Sequence, residues 1–278
     1  MLTRSIAFGL LAASLCAQGP PPPVAYRVYA IRYATLADFP VASLVAGADR
    51  ARRADIAMML WLIRSGDGRI VLFDSGFYGE EYLKQWNPKQ FVRPDEAIAP
   101  MGVKAEEVSD VVISHVHWDH LDGAGLFPRA RVWIQRDEVE HYVDADGRPL
   151  DRGIDARGAA LVATLRREGR LKLADGDGAE IIPGIIAHTG GRHTYASQYV
   201  SVRTPSGTVV LASDNLYLYE NLDRGVPIAQ TFDAAANRQS QRRMRELATD
   251  PRWIVPGHDP LVFERFPRVA EGVVAIPR

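Results

Sequence analysis

The sequence predicts an α/β fold in which two mixed β-sheets pack face to face and helices cover their outer faces, an αββα sandwich. Short apolar, β-branched runs are mixed with helical patterns along the chain, and hairpin-type turns separate several of the runs. The chain has 278 residues, 47% of them hydrophobic, so it can bury one large core. We expect the folded domain to span residues 25–278.

The first predicted elements are strands. Residues 26–33 alternate between apolar and polar side chains and predict an edge strand. Residues 56–64 and 69–74 flank the turn sequence Ser65-Gly66-Asp67-Gly68, which predicts a β-hairpin. Residues 108–113 form a short β-branched run that predicts a buried strand.

The remainder of the chain mixes helices with strands. Helices are predicted over residues 80–85, 104–108, 136–143, 156–168 and 234–248. Asp233 is suited to cap the last of these helices, and Pro251 lies beyond its end. Strands are predicted over residues 179–186, 197–203 and 208–212.

The first residues are expected to direct the chain to export. Arg4 provides a positive charge, the apolar residues 6–15 are too few to span a bilayer, and Ala17 can precede a cleavage site. We predict a signal peptide over residues 1–17, a proline-rich spacer over residues 18–24, and a periplasmic or secreted protein. A disordered apolar tail is the alternative. The one cysteine, Cys16, lies in this segment, and its lipid modification stays open.

The run 114–122 places His115, His117, Asp119 and His120 within six positions. Imidazole and carboxylate groups are ligands suited to zinc or a similar divalent ion. A core rarely holds three histidines so close together, because each ring needs partners for both of its nitrogens. The run follows the predicted strand at 108–113 and precedes a glycine-containing turn, so a rigid sheet would hold the loop that presents these ligands.

This spacing, His-x-His-x-Asp-His, resembles the signature of the metallo-β-lactamase superfamily in the form used by its two-metal hydrolases. Three further residues stand where that family places its other ligands, each just after an apolar run: His193, Asp214 and His258. The resemblance extends from Asp74 to His258 and implies the metallo-β-lactamase form of the αββα sandwich. Asp74-Ser75-Gly76 is similar to the structural Asp-x-Gly of the family, although an ordinary turn can have the same residues.

The resemblance implies two divalent metal ions. Zinc is expected, and iron, manganese or cobalt are compatible with the same ligands. Each ion has a ligand set of its own and one carboxylate is shared: His115, His117 and His193 hold the first ion, Asp119, His120 and His258 hold the second, and Asp214 bridges both. A turn residue is the alternative for Asp214 taken alone, because Asp-Asn is common in turns.

The segment after Asp214 bears on the substrate. Tyr217 lies where the N-acyl-homoserine lactonases of this superfamily carry a tyrosine, and Gln198 fits the same group. That resemblance implies a small-molecule substrate, an N-acyl-homoserine lactone, and quorum quenching as the biological role. It also implies attack of a metal-bridging hydroxide on the lactone carbonyl, with Tyr217 stabilising the oxyanion and Asp119 moving the proton. The alternative for Tyr217 is a half-buried aromatic in the run 216–219.

Other functions stay open on the sequence. The segment 189–197 lacks the second histidine that lactonases usually carry there. A thioesterase of the glyoxalase II type and a β-lactam hydrolase are alternatives, and a non-catalytic secreted metal-binding module is a third. The net charge is −1, with 33 basic and 34 acidic residues interleaved, so the sequence has no basic stripe for nucleic acid. A homodimer is expected, because lactonases of this type are often dimers.

Five other residues near the motifs have simpler interpretations. His188 is predicted to end a strand, with a hydrogen bond to a ligand as the alternative, and His141 is predicted to be solvated on a surface helix. Phe39 and Met58 are predicted to pack in the core, with an apolar substrate pocket as the alternative. Trp118 lies inside the motif and is a candidate to line such a pocket.

Overall fold

The computed structural model describes residues 24–277. The predicted signal peptide, all but the last residue of the predicted spacer, and Cys16 lie outside the described residues. None of the helices within residues 24–277 is both long enough and apolar enough to cross a bilayer.

The described residues form strands and helices in mixed order. The strands are β1 (Tyr26–Pro40), β2 (Arg53–Ser65), β3 (Ile70–Phe73), β4 (Asp110–Val112), β5 (Arg131–Gln135), β6 (Leu171–Ala174), β7 (Ala179–Ile182), β8 (Ile185–Thr189), β9 (Gln198–Thr204), β10 (Gly207–Ser213), β11 (Ile254–Pro256), β12 (Arg268–Ala270) and β13 (Val273–Ile276). The α-helices are α1 (Glu80–Trp86), α2 (Pro94–Ala97), α3 (Trp118–Leu121), α4 (Arg136–Tyr142), α5 (Ala156–Arg167), α6 (Tyr219–Arg224), α7 (Ala234–Leu247) and α8 (Val262–Arg265).

The strands of the described range form two mixed sheets. The first sheet has the order β12-β13-β1-β2-β3-β4-β5-β6, and the second has the order β11-β10-β9-β8-β7. Pairing is antiparallel from β12 to β3 and parallel from β3 to β6. In the second sheet only β10 and β11 are parallel. The predicted α/β class is therefore observed with two sheets of unequal size.

Side chains on opposite faces of the first sheet enter different parts of the core. Leu60 and Leu62 of β2 pack in the cluster that includes Val139 of α4 and Leu165 of α5. Trp61, between the two leucines, packs in the cluster shared with the second sheet. Because successive side chains of a strand point to opposite faces, the apolar residues of β2 pack alternately against the helices and against the second sheet.

The outer face of the second sheet is covered by a helix. Tyr199 of β9 and Val210 of β10 pack against Met244 of α7. Asp233 caps α7 as predicted, and its carboxylate accepts hydrogen bonds from the backbone N–H groups of Ala235 and Ala236. The layers therefore follow the αββα order predicted from the sequence.

Three predicted elements were wrong in detail. The strand predicted at 26–33 is not an edge strand, because the C-terminal strand β13 pairs with its free side. The strand predicted at 179–186 is two strands, β7 and β8, which Pro183 and Gly184 separate. Gly184 has φ = 83°, a conformation that a residue with a side chain rarely adopts. The helix predicted at 104–108 is only a 3-10 turn over Ala105–Glu107.

The ends of four strands meet at one edge of the sandwich. The loop with His115 follows β4, His193 follows β8, Asp214 follows β10 and His258 follows β11. The backbone N–H of Gln198 in the second sheet donates to the carbonyl of Ser114 after β4 at 2.8 Å, so the two sheets are joined at this edge. Candidate ligands that lie far apart in the sequence are thereby brought together by rigid elements.

The buried part of this fold can be tested with two valines. Val111→Ala in β4 is expected to lower the free energy of unfolding by about 1.5–3 kcal/mol, because the side chain is fully buried. Val269→Ala in β12 removes the same atoms from a residue that is 50% exposed, and should cost about 0.5 kcal/mol or less. Urea unfolding followed by circular dichroism measures both values, and equal losses would contradict the assigned core.

Candidate metal centre

The loop after β4 is held by the carboxylate of Asp74. Its Oδ1 accepts a hydrogen bond from the backbone N–H of Ser114 at 2.7 Å, and its Oδ2 contacts His120 Nδ1 at 2.8 Å. The hydroxyl of Ser213, at the end of β10, donates to the same Oδ2 at 2.7 Å. Asp74 is fully buried, so one carboxylate fixes residues from both sheets beneath the candidate ligands.

Three histidines form the first candidate ligand set, here called the three-histidine set: His115, His117 and His193. Their site-facing atoms are His115 Nε2, His117 Nδ1 and His193 Nε2. His117 Nδ1 lies 3.0 Å from each of the other two nitrogens. The loop after β4 and the loop after β8 thus converge on one point, where the nitrogen lone pairs are close enough to share one ion.

A second set, here called the Asp119 set, consists of Asp119, His120 and His258. Asp119 Oδ2 lies 3.4 Å from His120 Nε2 and 3.8 Å from His258 Nε2. His120 is on the single turn of α3, and His258 follows β11, so the set joins the motif loop to the C-terminal part of the chain.

Asp214 faces both sets. Its Oδ2 lies 3.3 Å from His193 Nε2 and 3.7 Å from His115 Nε2, whereas its Oδ1 lies 2.9 Å from His258 Nε2 and 3.3 Å from His120 Nε2. One carboxylate oxygen is therefore directed at each set, the arrangement that a bridging ligand between two adjacent ions requires.

The outward nitrogens of four of these rings contact oxygen atoms. The pairs are His115 Nδ1 with Ser114 Oγ at 2.9 Å, His120 Nδ1 with Asp74 Oδ2 at 2.8 Å, His193 Nδ1 with the Gln230 carbonyl at 2.8 Å, and His258 Nδ1 with the Ala57 carbonyl at 3.0 Å. A ring that donates its outward N–H has an unprotonated inner nitrogen, which is the form that binds metal.

Two buried acceptor atoms at the centre have no hydrogen-bond partner within the described residues: His120 Nε2 and Asp214 Oδ1. They lie 3.3 Å apart, and in a neutral His120 ring that donates from Nδ1 to Asp74 neither atom carries a proton. A buried acceptor pair of this kind needs a cation or a donor between the atoms. The residues present therefore fit two divalent metal ions.

The charges around the rings agree with metal binding. Burial lowers the pKa of His115 well below its usual range and lowers the pKa of His117 to about 3, so both rings are neutral at pH 7. Burial also opposes a charge on His120, but the carboxylates of Asp119 and Asp214 outweigh it and raise the pKa of His120. The same negative field favours a bound cation.

An apolar cavity of about 230 Å³ opens onto the centre. Its walls combine apolar and aromatic side chains with ligands of both sets: Leu36, Phe39, Leu44, Ile56, Met58, Trp86, His117, Trp118, Asp119, Asp214, Tyr217, Gln230 and His258. Trp86 and Trp118 stack with ring centroids 5.3 Å apart and an interplanar angle of 12°. A rigid aromatic wall of this kind suits an apolar group of a small molecule.

Tyr217 reaches the same cavity from the segment after β10. Burial, and then the nearby carboxylates of Asp214 and Asp119, raise the pKa of Tyr217 well above its usual range, so the phenol keeps its proton. Its oxygen lies 3.3 Å from His193 Nδ1. That nitrogen already contacts the Gln230 carbonyl as a donor, so it does not need the phenol proton. The Tyr217 hydroxyl can therefore donate toward the cavity.

Glu138 is a buried carboxylate at this site that the sequence analysis missed. It is on α4, and its oxygens accept hydrogen bonds from the loops that carry the three-histidine set. Burial raises the pKa of Glu138, and the hydrogen bonds act in the opposite direction. Glu138 and Glu140 flank the buried Val139, and only Glu138 is itself buried. The helical pattern of the sequence therefore gave little indication of which glutamate is buried.

The five simpler interpretations have mixed outcomes. His188 is the residue before the last in β8, is buried, and contacts Ser201 Oγ at 2.9 Å, which agrees with a position near the strand end. His141 is exposed on α4 as predicted and stacks on Tyr195. Trp118 lines the cavity.

Phe39 and Met58 were predicted to be core residues, and the cavity wall was the alternative. Both belong to the larger apolar cluster and both also line the cavity, because β1 and β2 run along its side. The predicted core packing is therefore confirmed for both residues, and the alternative, a place in the cavity wall, is observed as well.

A comparison with protein-family models gives one match that covers the motifs. The model described as the metallo-beta-lactamase superfamily matches residues 59–258. The chain belongs to the metallo-β-lactamase superfamily. The predicted family and fold are confirmed, and the match includes the seven candidate ligands.

Relatives within the superfamily include lactonases. The chain is 31% identical over 162 residues to an N-acyl homoserine lactonase from Bacillus cereus, a match that covers 57% of this chain and 59% of that protein. The chain thus spans less than two thirds of the curated relatives' length. The predicted resemblance to the lactonase group is confirmed at this level of similarity.

Solved structures give the same fold. One is AiiA of B. thuringiensis with N-decanoyl-L-homoserine at its active site, with a TM-score of 0.71 and 22% identity, covering 90% of this chain and 98% of that chain. Another is AidC, described as a dizinc quorum-quenching lactonase, with a TM-score of 0.64 and 14% identity, covering 91% and 94% of the two chains.

The bridging role of Asp214 can be tested by metal content. Asp214→Asn is expected to lower the bound metal from two ions per chain to about one or none, because it removes the charge that both sets share. Elemental analysis after reconstitution with zinc measures the ratio. Asp223→Asn, the same chemical change at an exposed carboxylate on α6, is the control, since it removes no candidate ligand. Two ions retained by Asp214→Asn would contradict the bridging assignment.

Proposed function

We propose that this protein is a dinuclear metal-dependent hydrolase that opens the ring of an N-acyl-homoserine lactone. The observation that carries the proposal is the position of Asp214 between two ligand sets at the base of an apolar cavity. The similarity to lactonases supports the substrate class. The proposed metal ligands are His115, His117, Asp119, His120, His193, Asp214 and His258.

Two divalent ions held at these adjacent ligand sets would supply a water of lowered pKa and polarisation of a carbonyl group. The five histidines and Asp119 would hold these ions in two sets, and Asp214 would be the carboxylate that the two sets share. In the reaction, the water oxygen bonds to the lactone carbonyl carbon and the ring C–O bond breaks. The products are a carboxylate and a hydroxyl group on one open-chain molecule.

Tyr217 and Asp119 are assigned the catalytic roles. The Tyr217 phenol keeps its proton and donates a hydrogen bond to the carbonyl oxygen as that atom becomes negative. Asp119 lines the cavity, and its carboxylate carries the proton from the attacking water to the leaving ring oxygen. Both side chains reach the cavity from the segments that supply metal ligands, so the donor and the ligands are fixed relative to each other.

The apolar wall of the cavity is assigned to the acyl chain. Phe39 stacks on Trp86 with centroids 6.2 Å apart, and Trp86 stacks on Trp118, so three rings form one surface beside Asp119. An acyl chain that lies on these rings leaves water while its lactone ring stays at the metal ligands.

Export and quorum quenching complete the proposal. The arginine and apolar run of residues 1–17 support a periplasmic or secreted enzyme, which would meet lactone signals outside the cytoplasm. Zinc is the proposed metal, because imidazole and carboxylate ligands suit it. The homodimer stays a prediction from the resemblance.

The activity can be tested by following acid release in a pH-stat. Zinc-loaded protein with N-hexanoyl-homoserine lactone is expected to release acid, because ring opening creates a carboxylate. His117→Ala should reduce the rate at least about 100-fold, since it removes a ligand of the three-histidine set. His141→Ala, an exposed histidine outside the site, is the control. No acid release from protein that holds two zinc ions would rule out lactonase activity and direct attention to thioesters and β-lactams.

The role of Tyr217 can be separated from metal binding. Tyr217→Phe is expected to lower kcat for the lactone about 10²–10³-fold, the cost of one oxyanion donor, and to leave the zinc content unchanged. Tyr195→Phe, a more exposed tyrosine, is the matched control. An unchanged kcat in Tyr217→Phe on every lactone tried would show that the phenol is not the donor.

A further inference from the structure

Glu138 forms hydrogen bonds with two loops that are distant from it in the sequence. Its Oε1 accepts hydrogen bonds from the backbone N–H of Val116 at 3.2 Å and from the hydroxyl of Thr194 at 2.5 Å. Its Oε2 accepts a hydrogen bond from the backbone N–H of Ala196 at 2.6 Å. The side chain is fully buried, so both carboxylate oxygens are used inside the protein.

The donors to Glu138 lie next to the members of one ligand set. Val116 lies between His115 and His117, and Thr194 follows His193 directly. The same helix supplies a second contact to this loop, because the hydroxyl of Tyr142 accepts a hydrogen bond from the backbone N–H of Tyr195 at 3.2 Å. Helix α4 therefore holds the loop after β4 and the loop after β8 in one relative position.

The Asp119 set is held by other groups. His120 contacts Asp74, and His258 contacts the carbonyl of Ala57. None of the hydrogen bonds of Glu138 goes to a residue of this set or to Asp74 among residues 24–277. The two ligand sets thus have separate supports, one from α4 and one from the strand ends beneath the site.

We propose that Glu138 is a positioning residue that sets the metal affinity of the three-histidine set and leaves the Asp119 set unaffected. The inference rests on the proposed dinuclear site. A ligand set binds an ion more tightly when its nitrogens are already at the separation that the ion requires, because the side chains and loops then lose less conformational entropy on binding. Glu138 provides that order by tying His117 to His193 across the gap between two strands.

The affinity of each set can be measured in the metal-free protein with zinc and a competing chelating dye. Glu138→Gln keeps the size of the side chain, but its NH₂ group cannot accept a backbone N–H bond. We expect about a 10–100-fold loss of affinity at one zinc site and less than about a 3-fold change at the other. His193→Ala and His258→Ala identify which affinity belongs to which set. Glu140→Gln, an exposed carboxylate on the same helix, is the matched control.

Amide hydrogen exchange in the metal-free protein supplies a second readout that does not depend on zinc or on activity. The amide of Val116 or of Ala196, whichever faces the new NH₂ group, should exchange at least about 10-fold faster in Glu138→Gln, because that amide loses its acceptor. The amide of Ser114, which donates to Asp74, should stay protected. If Glu138→Gln fails to fold, Thr194→Val removes one donor to the same carboxylate and should weaken the same zinc site by a smaller factor.

Equal losses at both zinc sites, or unchanged affinities with unchanged exchange, would overturn the proposal in favour of a general contribution to stability. Wild-type protein that binds fewer than two zinc ions would overturn both this proposal and the dinuclear site. Protein that binds two zinc ions with separate affinities but opens no lactone would refute only the proposed activity, because lactone hydrolysis is not a readout of these titrations.

Discussion

The buried carboxylate of Asp214 is the group on which the arrangement of the site depends. Its two oxygens face different ligand sets, and a negative charge removed from water is stable only when positive charge or donors surround it. The ends of β4, β8, β10 and β11 meet around this one residue. The two sheets must therefore pack so that the C-terminal ends of these four strands lie side by side.

The joint between the sheets is polar, although most of the surrounding core is apolar. The amide group of Gln198 donates to the carbonyl of Ile113 at 2.7 Å and accepts from Gln135 at 2.9 Å. The amide group of Asn215 accepts from the backbone N–H of Gly191 and donates to the carbonyl of Gln198. Each fully buried amide thus replaces water at strand ends whose backbone groups would otherwise lack partners. Such a network is rigid because few alternative pairings satisfy it.

The sequence and its resemblance to the superfamily were sufficient for the fold class and for the residues that meet at Asp214, since these residues lie in the His-x-His-x-Asp-His motif or follow an apolar run where that family places a ligand. The sequence was insufficient where the position of a strand or side chain depends on contacts with residues that are distant in the chain. Residues 26–33 have the pattern of an edge strand, and only the return of β13 makes that strand internal. Glu138 resembles its exposed neighbour Glu140 in any local pattern, and only its donors from two other loops reveal its position. Phe39 and Met58 are apolar, so the sequence alone could not separate the core from the cavity wall.

The pairing of β1 with β13 also affects how the chain acquires its structure. The first strand of the larger sheet lies between β2, which follows it closely, and β13, which begins at Val273. During synthesis one side of β1 keeps unpaired N–H and C=O groups until nearly all of the chain is available. Contacts between residues so distant in sequence slow folding, and an open strand edge can pair with other chains in the meantime. The last hairpin therefore completes the larger sheet, and truncation of β13 would leave one side of β1 as an unpaired strand edge.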